Sequence, residues 1–136
     1  RSINGFSEDR WQTLGAVSQA EAAAQFLAFH EQMSAERRYV FTAYNASFDR
    51  GFVDAWLTSH GSDFEALYTY FVLDLPSVAW GAGVLDLVNA DVAAAFGVEA
   101  ETRDPMRHTG LSGAQWNLDL YRAMLAAGHG PAAINR

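Results

Sequence analysis

The chain has no cysteine, so it carries neither a disulfide framework nor a thiolate metal site. Lysine is missing too, and all nine basic residues are arginine. No run of ~18 apolar residues is present, which excludes a hydrophobic membrane-spanning helix from the reading. The opening residues lack the basic-then-apolar layout of a secretory leader. These absences together set the expectation of a cytoplasmic protein with no membrane partner.

What is present describes a globular sequence. Half of the 136 residues are hydrophobic and 13% are aromatic, enough for one domain that buries about two-thirds of the surface of its unfolded chain. The formal net charge of −7 argues against binding nucleic acid by charge alone, because phosphate contacts are normally made by Lys or Arg. An enzyme that grips only a few terminal nucleotides needs few such contacts, so the acidity lowers that prospect without removing it.

Residues 1–15 show no periodicity and read as a loop, with a turn at Asn4-Gly5. Ser18-Gln19-Ala20-Glu21 has the form of a capping box, which predicts a helix from about Gln19 with Ala22, Phe26, Phe29 and Met33 on its buried stripe. His30 beside that stripe reads as an ordinary helix residue. Leu67 to Leu73 reads as a buried strand closed by Asp74 and Pro76. An Ala-rich helix is expected over 85–96, stopped by Gly97, followed by an acidic loop over 98–106. A last helix is expected over 112–127, with Ala114, Leu118, Tyr121 and Leu125 inward and Gly128 as its stop.

The most informative stretch is 38–56. Tyr39, Val40, Phe41, Thr42 and Tyr44 are β-branched or aromatic and predict a strand. Asn45 breaks it, and Asn45 or Ser47 can cap a helix on which Phe48, Phe52, Ala55 and Trp56 share one face. Asp49 then stands on a first helical turn beside a strand end, well placed for a metal, and Phe48 is well placed to lie against a base. Trp56 is expected in the core.

Asn45-Ala46-Ser47-Phe48-Asp49-Arg50-Gly51-Phe52 resembles the second motif, HNAxFDxxF, of the DEDDh (DnaQ-like) 3′-to-5′ exonucleases, the family that includes ribonuclease T. Tyr44 stands where that family usually has His. His108-Thr109-Gly110-Leu111-Ser112-Gly113-Ala114 is similar to the third motif, HxALxDA, with Gly113 in place of its Asp. The family's strand-closing Asp-Thr pair is Asp74-Leu75 here, and Asp74 is expected to be structural, as a cap. The first motif, Asp-x-Glu on an opening strand, has no counterpart. Asn117, Asp104 and Asp119 are the candidate substitutes for the acid lost at Gly113, and none is convincing.

The resemblance implies an α/β fold of the ribonuclease H type, incomplete because the first three strands are absent, with the order helix-strand-helix-strand-helix-helix. Residues 1–136 would then be the C-terminal two-thirds of one exonuclease domain. It also implies Asp49 as ligand to two Mg²⁺ or Mn²⁺ ions, supplied only if the missing carboxylates are, and His108 as general base. Phe48, Asn45 and Tyr70 would contact a single-stranded DNA or RNA 3′ end, with nucleoside 5′-monophosphates as product. Without the opening strands, the strand from residue 39 is an open edge, which points to a homodimer or a strand-completing partner. The alternative is a catalytically disabled exonuclease-fold protein serving as an interaction or nucleic-acid-binding module; an unrelated α/β domain is the third reading.

Overall fold

The structure is a computed structural model that describes residues 7–33 and 38–130. It is mixed α/β, in the order α1 (Glu8–Thr13), α2 (Gln19–Gln32), β1 (Tyr39–Ala43), α3 (Ala46–Ser59), α4 (Phe64–Leu67), β2 (Tyr68–Asp74), α5 (Leu75–Gly81), α6 (Asn89–Ala95) and α7 (Gly110–Ala126). β1 and β2 pair in parallel, with Phe41 opposite Val72 and Ala43 opposite Asp74. A parallel pair needs a crossover, and α3 with α4 provides it. Among the described residues this sheet has two strands, so each strand keeps one edge without a backbone partner.

Several boundaries follow from local chemistry that the sequence displays. Ser18 caps α2 by accepting from the Glu21 N–H at 3.2 Å, and Thr109 and Ser112 form a reciprocal capping box at the start of α7. Gly61 and Gly128, at φ 78° and 89°, take the left-handed conformation that ends α3 and α7, a conformation costly for a residue with a Cβ.

Other elements differ from expectation, each for a physical reason. Residues 8–13 are helical because Ser7 caps them and Glu8 and Asp9 stand on the first turn, where the helix dipole favours acid; the expected Asn4-Gly5 turn lies outside the described residues. Asp63 caps the short α4, accepting from Ala66 N–H at 2.6 Å. Pro76 opens α5, where a missing N–H costs nothing, so the chain turns helical directly after β2. The expected helix over 85–96 begins only at Asn89. Strand β1 ends at Ala43, and Tyr44 belongs to the following turn.

The largest buried cluster joins Leu75 and Ala79 of α5, Val92 and Ala93 of α6, and Trp116, Leu120 and Met124 of α7. The expected inward face of α7 is therefore displaced: Leu118 and Leu125 are exposed, and Trp116, Leu120 and Met124 take the core positions. In α2, Ala23 is buried while Phe29 and Met33 are exposed. Phe26 and His30 of α2 face the sheet region, where the His30 ring lies 5.4 Å from that of Tyr68 and its Nε2 pairs with the Tyr68 hydroxyl at 3.1 Å. A second aromatic cluster stacks Phe64 on Tyr68 at 4.7 Å, with Phe41 edge-on to both. Trp56, expected in the core, is only half-buried, and packs edge-on to Phe26 at 5.5 Å.

Candidate active site

At the carboxyl end of β1 the chain must turn at once into α3. Asn45 makes this possible by adopting φ 63° and ψ 54°, the left-handed region that Asn tolerates better than other side-chain-bearing residues. Its side chain does not cap α3. That task falls to Asp74: one carboxylate oxygen accepts from the Ala46 N–H at 3.0 Å, and the other accepts from Ser77 N and Oγ at 3.2 and 2.6 Å. One acid thereby starts two helices and ties the ends of both strands together, the structural role expected of it.

Helix α7 fastens the opposite wall. Asn117 Oδ1 accepts from the Tyr44 N–H at 3.0 Å, so this oxygen holds the strand end and is not offered to a ligand in the way its spacing suggests. Tyr44 donates its hydroxyl to Leu87 O at 2.6 Å, and its ring lies 5.2 Å from Trp116. Burial, with Asp74, Asp86 and Asp91 nearby, pushes the Tyr44 phenol above its ordinary value. The Trp116 indole donates to Glu99 O at 2.9 Å, which pins the acidic loop. Arg10 donates to the carbonyls of Pro105 and Met106 and anchors the rest of that loop.

These restraints enclose a cavity of about 670 Å³ lined by Phe48 and Asp49 from α3, Glu101 and His108 from the loop, and Gly113, Asn117 and Tyr121 from α7. A cleft at the carboxyl end of a parallel strand is where open α/β sheets bind ligands. Asp49 and His108, far apart in sequence, both line it. Phe48 is on its rim at 61% exposure. Asn45 is exposed at the turn outside the lining. Tyr70 also lies outside it, 73% exposed on β2, with the Arg50 guanidinium 5.9 Å above its ring.

Desolvation raises the Asp49 carboxyl above its ordinary value, opposed by a backbone hydrogen bond. His108 Nδ1 lies 3.0 Å from Thr102 O, and Nε2 lies 4.0 Å from Glu101 Oε1. Glu101 Oε2 accepts from Asn89 Nδ2 at 3.2 Å. Asp104, considered from sequence as a mobile substitute acid, is occupied in its own turn by Met106 N–H at 2.9 Å. Asp119 faces Gln115 and Arg122 along the helix.

Glu101 is the residue that sequence reasoning missed. It belongs to a loop with several acids, no periodicity singles it out, and only the approach of this loop to Gly113 marks it. A Cβ placed on Gly113 would lie 3.2 Å from Glu101 Oε1, a tight contact from which the carboxylate would have to give by a few tenths of an ångström.

Among the described residues no three His, Asp or Glu side chains converge closely enough to hold an ion. Asp49 on one wall and the Glu101–His108 pair on the other do not by themselves make the two-ion centre that the motif resemblance implies. Comparison with protein-family models, with curated proteins and with solved structures yields no match for this chain.

Proposed function

We propose that the chain belongs to a metal-dependent 3′-to-5′ exonuclease acting on single-stranded DNA or RNA ends and releasing nucleoside 5′-monophosphates, the chain alone being inactive. The observation that carries this reading is that Asp49, Phe48 and His108, the residues singled out by two separate motifs, line one cavity. The contacts of a neutral His108 ring suit the tautomer a general base requires. Its Nδ1 faces a carbonyl, which only accepts, so Nδ1 holds the ring proton and Nε2 presents a lone pair.

In this reading Asp49 contributes one carboxylate toward Mg²⁺ or Mn²⁺, and further acids, which the described residues do not gather around it, would be needed to complete the set. Bound ions would neutralise the phosphate charge. Phe48 and, further out, Tyr70 offer exposed rings on which terminal bases stack, each stack contributing ~1 to 3 kcal/mol without reading sequence. The unpaired edge of β1 suits a strand supplied by a partner or by a second copy.

A 5′-labelled single-stranded oligonucleotide incubated with Mn²⁺ and the protein, extended by whatever precedes Arg1 in its gene, tests the reading. Shortening from the 3′ end that Asp49→Ala abolishes is the expected result; cleavage retained in that variant assigns the activity elsewhere. Gly113, which removes a motif acid, favours one other reading, a disabled exonuclease fold that binds nucleic acid. Binding of the oligonucleotide without shortening under the same conditions would select it.

A further inference from the structure

We propose that Glu101 and His108 form a two-acceptor clamp that seats and aims the attacking water, and that Gly113 is glycine because the clamp needs the space. The proposal rests on the hydrolytic reading above and names what orients its nucleophile. His108 Nδ1 is committed to the Thr102 carbonyl, so in the neutral ring Nε2 accepts. Glu101 is held from behind by Asn89 on Oε2, which leaves Oε1 turned toward Nε2. Two acceptors therefore face each other at 4.0 Å inside a cavity.

The separation discriminates between occupants. A water donating to both at about 2.8 Å subtends an angle of about 90° across a 4.0 Å gap, close to its own geometry. A Mg²⁺ ion at about 2.1 Å from each would be forced to an angle near ~145°, far from its octahedral preference. The pair thus suits a proton-bearing molecule and not a shared cation.

In the reaction, the water oxygen forms the new bond to phosphorus as one of its protons passes to His108 Nε2. The other proton stays hydrogen-bonded to Glu101 Oε1. The bond from phosphorus to the 3′ oxygen of the preceding nucleotide breaks, and that oxygen takes a proton from solvent. Glu101 then faces a newly formed imidazolium and stabilises it. A side chain at 113 would start 3.2 Å from Oε1 and push the carboxylate out of line.

Crystals of the wild-type protein and of Glu101→Gln, with kinetics of both and of Gly113→Ala on a labelled oligonucleotide, decide the matter. We expect a water oxygen within about 3.2 Å of both Nε2 and Oε1, lost in Glu101→Gln. We also expect kcat lowered on the order of 10- to 100-fold in both variants, with KM little changed. A direct Nε2–Glu101 contact, a Mn²⁺ anomalous peak between the two groups, or unchanged kcat in both variants of a cleaving protein would overturn the clamp. The water present in a wild-type protein that cleaves nothing would support the clamp and end the exonuclease reading instead.

Discussion

The two halves of the molecule use similar apolar residues to opposite ends. Between α5, α6 and α7 a core is closed: Leu75, Ala79, Val92, Ala93, Leu120 and Met124 are each 0% exposed, although Trp80, Leu111, Leu118 and Leu125 on these helices are exposed. Around β1, α3 and β2 it is left open, with Val40, Phe48, Phe52, Tyr70 and Phe71 all more than half exposed. A closed core maintains a fold, whereas exposed apolar rings such as the Phe48–Phe52 pair, 4.9 Å apart, are a place for a ligand or partner. The cavity lies at the seam, with a rigid helical wall carrying Gly113 and Asn117 and an open wall carrying Phe48 and Asp49.

Substitutions sharpen that contrast. Leu120→Ala in the closed half should cost about 2 to 5 kcal/mol in denaturant unfolding, because the fully packed neighbours of α5 and α6 cannot collapse into the space; a cost near zero would mean that half is not a packed core. Asp74→Ala, which uncaps α3 and α5 together, should cost about 1 to 2 kcal/mol. Gly113→Ala should change stability by less than about 1 kcal/mol, because the helix propensity gained is offset by displacing the Glu101 carboxylate, 3.2 Å from the new Cβ, while impairing cleavage.

Asp49→Asn should raise the melting temperature at neutral pH. The folded chain holds the Asp49 proton more tightly than the unfolded chain, so ionising the carboxyl costs stability. The cost is absent below the ordinary value of 3.8, grows as pH rises through the elevated folded value, and is complete above it. The gap between variant and wild type should therefore open with rising pH in thermal melts; a gap that closes would reverse the assignment. Phe52→Ser in the open half should change stability by less than about 0.5 kcal/mol.

The sequence displayed the chemistry of single residues more clearly than the direction in which helices face. Ser18, Gly61, Gly97 and Gly128 end or begin helices where their backbone preferences place them. The succession of β1 and α3 around Asn45, and the capping role of Asp74, were legible for the same reason. The buried faces of α3 and α7 were not. In α7, Ala114, Leu118, Tyr121 and Leu125 are as periodic as Trp116, Leu120 and Met124, and only contact with α5 and α6 decides between them. In α3, Phe48, Phe52, Ala55 and Trp56 share a face by spacing, yet Phe48 and Phe52 are 61% and 65% exposed and the fully buried residues are Ala46 and Leu57. Glu101 was illegible because its importance comes from a loop-to-helix approach that no spacing encodes.

The most direct test of the account is single-turnover cleavage of a 5′-labelled oligonucleotide, with Mn²⁺, by the extended protein of the assay above and by its His108→Ala variant, with melting curves of both. Loss of a general base predicts a rate lower by about 10²- to 10⁴-fold at an unchanged melting temperature. Equal rates in the two proteins would contradict the placement of the chemistry in this cavity.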